Sequence, residues 1–172
     1  MTYNKSLDIR LAELNDLGDI LDILDKAAIW MFEKGITNQW IPGEVFKYDH
    51  YYKDAIEQGH LYVATSHEQA VGTVLIRWSD DDIWDDGCKS SGYIHHLAVD
   101  RCTSIQELGH KILAWSESKI IESDKSKVRL DCIESNTRLN EYYLERGYNF
   151  VKTFEYYDGD KGNLYEKSVL KA

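Results

Sequence analysis

Apolar positions change period several times along the chain. LDIRLA, Leu7 to Ala12, alternates as a half-buried strand does. From Leu17 the spacing lengthens: Leu17, Ile20, Leu21, Leu24, Ala28 and Met31 share one face of a helix that Asn15 caps and Gly35 ends. Pro42 begins a second helical pattern that runs to Gly59, with Val45, Tyr48, Tyr52 and Ile56 in phase. HLYVAT and AVGTVLIRW, rich in β-branched and aromatic residues, flank the polar turn SHEQ and read as a hairpin. GYIHHLAV, Gly92 to Val99, is the next strand, and a helix with Leu108, Ile112, Trp115 and Ile120 on its buried side follows. VRLDCI, Val128 to Ile133, is another strand. Asn136 then caps a short helix that stops at Gly147, and FVKTFEYY and NLYEKSVL form a last hairpin around DGDKG.

The order is βααβββαβαββ, about seven strands and about four helices. A strand, helix, strand, helix run in the second half implies a right-handed crossover with parallel pairing, flanked by antiparallel hairpins. The fold class is α/β, with a central twisted mixed sheet. We read residues 1–172 as one domain, with 1–6 a loose tail, since no proline- or glycine-rich linker divides the chain. In such sheets ligands favour strand ends next to helix N-termini, and the end of GYIHHLAV is that kind of place.

Composition narrows the function. A net charge of −10 argues against binding nucleic acid or anionic membrane, both of which depend on basic patches. A neutral or cationic small partner fits better. No run approaches the roughly 20 apolar residues of a membrane span, so a cytoplasmic protein is expected. Cys88, Cys102 and Cys132 are odd in number and lack ligand spacing, which points to reduced thiols and no metal. Ser104 and Glu107 have the spacing of a capping box, so RCTSIQELGHKIL reads as a helix start that caps itself with an acid.

LDCIESNTRLNEYYLERGY resembles the late segment of the GNAT superfamily of acyl-CoA-dependent N-acyltransferases: a strand, Asn136, Tyr143 seven residues on, then Gly147 and Tyr148. GYIHHLAVD is similar to that family's central strand. KGI followed by QW, and the dipeptide Ile83–Trp84, resemble one bacterial branch. The resemblance implies the GNAT fold over nearly the whole chain, acetyl-CoA as co-substrate and transfer of acetyl to a primary amine in a ternary complex. The backbone of Leu97 and Val99 would meet the pantetheine arm, and Ser104, Gln106, Leu108, Gly109 and His110 would form the diphosphate turn. That turn departs from the family pattern: only Gly109 keeps its glycine, and Glu107 stands where the first glycine belongs. A non-catalytic acyl-CoA sensor or interaction module is the competing class.

By resemblance Tyr143 protonates the departing thiolate, a task for which a phenol of pKa about 10 is suited; otherwise it packs its helix. Asn136 either caps that helix or also touches the pantetheine. His95, four residues before Val99, is the candidate base, against the reading of a hydrogen-bonded strand histidine. His96 faces the other side of the strand and is given no catalytic role. DDDIWDD, Asp80 to Asp86, is either a solvated loop or a device that concentrates a cationic acceptor. Trp40, Trp84 and Tyr93 are the candidate acceptor-binding residues, the tryptophans being either an aromatic wall or ordinary core. A homodimer is left open.

Overall fold

The computed structural model of the chain describes residues 7–169; the tail expected over 1–6 lies outside them. The strands are β1 (Leu7–Leu11), β2 (Leu61–Ser66), β3 (Gln69–Arg77), β4 (Ser91–Val99), β5 (Lys127–Ile133), β6 (Asn149–Glu155) and β7 (Lys161–Ser168). They form one mixed sheet in the order β1-β2-β3-β4-β5-β7-β6. The helices are α1 (Leu17–Glu33), α2 (Asp49–Glu57), α3 (Asp81–Trp84), α4 (Leu108–Glu122) and α5 (Thr137–Glu145). The short α3, inside DDDIWDD, is the one that apolar periodicity does not announce. The chain packs as two compact units, the first made of residues up to 76 with 96–115, the second of 77–95 with 116 onward.

In the first unit β1 pairs antiparallel with β2, and β2 with β3 through a turn at His67 and Glu68 whose φ values are +52° and +63°. Two left-handed central residues make the hairpin turn whose twist matches the strands. On α1 the buried residues are Ile20, Leu21, Ile23, Leu24, Ala28 and Met31, and the first four of them pack with Tyr52, Leu61, Val63 and Leu75. Asn15 does not cap α1. A single 3₁₀ turn, Leu14–Asp16, precedes it, and there Asp16 Oδ2 accepts the Glu13 N–H at 2.7 Å while Arg10 pairs with the same carboxylate. The helix read from Pro42 to Gly59 is likewise divided into a 3₁₀ turn, Glu44–Tyr48, and then α2. Because a 3₁₀ turn advances 120° per residue rather than 100°, the two segments do not share one face: Val45 still packs on the core, but Tyr48 has rotated away. Tyr48 is accordingly exposed while Tyr52 is buried.

In the second unit β4 pairs parallel with β5 from Ser91↔Lys127 to Tyr93↔Arg129. β5 and β6 both pair antiparallel with β7. Gly92 lets α4 come close, since an added Cβ would fall 2.6 Å from Ile120 Cγ1. At Asn136 the expected cap is present: its Oδ1 accepts the Leu139 N–H at 3.2 Å. All three cysteines are free.

Candidate active site

His96 has φ +48° within β4. That left-handed residue interrupts strict alternation, and the two adjacent histidines enter different surroundings.

In the first unit, Val99 leads into a turn in which Cys102 N–H donates to Asp100 Oδ1 at 2.9 Å and Ile105 N–H to Thr103 Oγ1 at 3.3 Å. Helix α4 begins at Leu108, later than a Ser104 cap would place it. Glu107 lies just outside the helix at φ +54°, and its carbonyl accepts the Lys111 N–H at 3.0 Å. A capping box needs its acid inside the first turn, so the expected Ser104–Glu107 box is not formed. The left-handed backbone that glycine normally serves is kept without glycine, at a cost of about 1–2 kcal/mol.

Around that turn Leu108 is buried, Gly109 and His110 are half-buried, and Ser104 and Gln106 are exposed. Gly109 packs beside the strand end, its Cβ position 3.9 Å from Val99 Cγ1. His110 Nδ1 is buried without a hydrogen-bond partner among the described residues. The first N–H groups of a helix have no intrahelical acceptor. Those backbone donors fit an anionic group such as a diphosphate. Thr103 and Ser104 also line an open pocket of about 270 Å³ with Ser66, His67 and Val71.

Also in the first unit, His96 sits among aromatic rings: Trp40 stacked at 6.0 Å, Tyr51 at 5.6 Å and Tyr52 edge-on at 5.4 Å. The Tyr52 hydroxyl is 3.1 Å from His96 Nδ1. Of the three acceptor-binding candidates, Trp40 is in this aromatic group.

In the second unit His95 Nε2 lies 3.0 Å from Asp80 Oδ2, and Nδ1 lies 3.7 Å from Asp131 Oδ1. Side-chain exposures of 15%, 5% and 12% put all three groups largely out of water. Asp80, His95 and Asp131 each offer one ligand atom within 4.8 Å of the others, a spacing that a metal site would also show. The two carboxylates approach different ring nitrogens, however, as charge contacts on either side of the imidazole rather than as hydrogen bonds. Burial raises the Asp131 carboxyl above its ordinary pKa, against the pull of His95 and of the Tyr156 hydroxyl.

Tyr143, on α5, joins a ring cluster with Tyr142 at 5.5 Å, Tyr148 at 5.7 Å and Tyr165 at 6.0 Å. Burial pushes its phenol up, with the charges of Cys132, Tyr142 and Asp131 adding to the effect. Cys132 itself is buried, which pushes its thiol up to about 12.

Trp84 and Tyr93 are both buried. The cation on this aromatic pair is the chain's own Arg129, 4.2 Å above the Trp84 ring. Arg129 also donates to Asp86 at 2.9 and 2.7 Å and to Glu166 at 2.7 Å. This clamp draws the end of DDDIWDD onto the sheet. Asp80 is drawn in as well, so the segment is not a solvated loop throughout, although Asp81, Asp82 and Asp85 stay exposed.

Several site residues escaped the sequence reading, among them Asp131, Arg129 and Asn140. Arg129 could have been noticed as a charge flanked by apolar residues within a strand. Asn140 is buried; its Nδ2 donates to the carbonyls of Asn136, Ile133 and Glu134, and its Oδ1 accepts from Asn163 and Tyr165. As one more polar residue on a short helix, it gave no signal.

The sheet order, the glycine-close α4 and the anion-ready turn define an acyltransferase-type α/β scaffold. Residues 23–148 match the family model of the Acetyltransferase (GNAT) family, and the chain belongs to that family. It is 33% identical over 167 residues to the uncharacterized N-acetyltransferase YesJ of Bacillus subtilis (strain 168), covering 92% of this chain and 88% of that protein. A crystal structure of a GNAT-family acetyltransferase from Listeria monocytogenes is similar with a TM-score of 0.76 at 28% identity, covering 95% of each chain. The PaiA N-acetyltransferase of Thermoplasma acidophilum, solved in complex with coenzyme A, has the same fold, with a TM-score of 0.72 at 13% identity over 95% of this chain and 99% of that one.

Proposed function

We propose that this GNAT-family acetyltransferase moves acetyl from acetyl-CoA to a primary amine of a small cationic acceptor, by direct attack in a ternary complex. The observation that carries the reading is His95 held between two buried carboxylates, in the same unit as the buried phenol of Tyr143. Acetyl-CoA supplies the acyl group as a thioester. The backbone of Leu97 and Val99 holds the pantetheine arm, and the Leu97 N–H stabilises developing oxyanion charge. The first turn of α4, from Leu108 to His110, holds the diphosphate, with Ser104 and Gln106 on the approach. Asn136 contacts the arm while capping α5.

His95 takes the proton from the amine, and Tyr143 delivers one to the thiolate sulfur. Trp40 offers its face to the acceptor, while Trp84 and Tyr93 serve the acceptor side indirectly by fixing Arg129 and the acidic segment. The reaction so described needs no metal. We read residues 1–172 as one domain. Among the described residues no helix is long and apolar enough to cross a membrane, and we place the enzyme in the cytoplasm, leaving a homodimer open.

Thiol release from acetyl-CoA over a panel of amines tests this reading. Cationic amines should be turned over, and changing Asp81, Asp82 and Asp85 to Asn should raise their KM several-fold at low salt and less at high salt. Coenzyme A binding without thiol release for any amine would instead support the sensor. The turn gives a second expectation. Glu107→Gly relieves a left-handed backbone and removes a carboxylate beside the proposed diphosphate site. It should raise Tm by about 2–4 °C, for about 1 kcal/mol, and tighten coenzyme A binding in calorimetric titration. A lower Tm would mean that the Glu107 side chain contributes a cap after all.

A further inference from the structure

Gly162 on β7 has no room for a side chain: an added Cβ would lie 2.5 Å from Phe154 Cε1 and 2.7 Å from the Tyr156 ring and hydroxyl. The missing side chain leaves a groove across β7, and the Tyr156 ring lies in it. Through that groove the Tyr156 hydroxyl donates to Asp131 Oδ2 on β5 at 2.6 Å. The other oxygen of Asp131 faces His95 Nδ1, and Asp80 meets Nε2 from the opposite element. Asp80 is itself fixed, because its carbonyl accepts the Trp84 N–H at 2.9 Å and Trp84 is clamped by Arg129.

We propose that Asp131 and Asp80 are positioning residues for His95, with Tyr156, seated in the groove at Gly162, tethering Asp131. This rests on His95 being the base. A carboxylate facing each ring nitrogen fixes the plane of the imidazole and the direction in which it meets the amine. The titratable groups around His95 are Asp80 ahead of α3, Asp131 on β5 and, behind it, Tyr156. Burial alone drives Asp131 toward its neutral form, and the Tyr156 hydroxyl opposes that. Loss of the hydroxyl therefore weakens the carboxylate partner of His95.

The test is kcat and KM measured separately for His95→Gln, Asp131→Asn, Tyr156→Phe and the double variants with His95→Gln, each checked by thermal melt. In Asp131→Asn kcat should fall at least about tenfold while KM stays within a few-fold of wild type, since the imidazole is no longer held in its working orientation. Tyr156→Phe should lower kcat in the same way by less. Neither change should cost anything further once His95 is Gln, because both act through it. Losses that multiply in the double variants, or a loss that falls on KM with kcat unchanged, overturn the proposal. Should Asp131→Asn fail to fold, Tyr156→Phe and Asp80→Asn carry the same comparison. Wild-type activity in His95→Gln alone would remove the base assignment itself, an outcome separate from additivity.

Discussion

Tyr143→Phe is expected to lower turnover by about 10² to 10⁴, the usual contribution of one positioned acid, while coenzyme A affinity and Tm stay close to wild type. The ring is what packs: it touches Tyr142, Tyr148 and Tyr165 at centroid distances of 5.5–6.0 Å, and phenylalanine keeps those contacts. Only the proton is lost. Burial raises the phenol above its ordinary pKa, so Tyr143 remains protonated across the neutral range and well into alkaline pH. Stepwise transfer from so weak an acid to a departed alkyl thiolate, the conjugate base of an acid of pKa about 8.5, would therefore run uphill. The transfer then gains from being concerted with departure. Single-turnover kinetics with saturating amine isolates that step, and a chemical rate within a few-fold of wild type would end the acid assignment.

Asn140→Ala should be the most destabilising single change at a polar site, by about 3 kcal/mol, or a fall in Tm of about 6–12 °C. The amide joins three carbonyls of the β5–α5 connection to side chains of β7, with distances of 2.7–3.3 Å. Alanine removes both the donors and the acceptor at once. Asn163 and Tyr165 then keep buried polar atoms without that partner, at about 1–3 kcal/mol each unless water enters. Asn136 stands at the other end of the same connection, so coenzyme A affinity should fall alongside stability. Melts and calorimetric titration of the variant measure the two effects, and an unchanged Tm would show that Asn140 is replaceable by solvent.

The regular elements were legible wherever one interaction repeats along the chain. The α1 face, the β2–β3 and β6–β7 hairpins, the parallel β4–β5 pair and the Asn136 cap each follow from a local period or a single turn residue. Element starts were less legible. At Asn15 the competition between neighbouring carboxylates went to Asp16, because Arg10, from β1, was there to pair with it. At Glu107 a spacing that fits a capping box coincided with a left-handed backbone, and sequence spacing does not report φ.

For the site, the sequence by itself supplied the residue types and their order: a histidine pair before Val99, an asparagine and a tyrosine seven apart, and an acidic segment between strands. Those follow from positions along one chain. Only the tertiary structure decided which groups meet. It gave Trp84 to Arg129, His96 to the rings of Trp40, Tyr51 and Tyr52, and His95 to two carboxylates from elements 15 positions before it and 36 after it. Such pairings arise when strands distant in sequence come into register and bury charges that must then find partners. Local periodicity records which face of an element is buried, but not which group from elsewhere in the chain will face it.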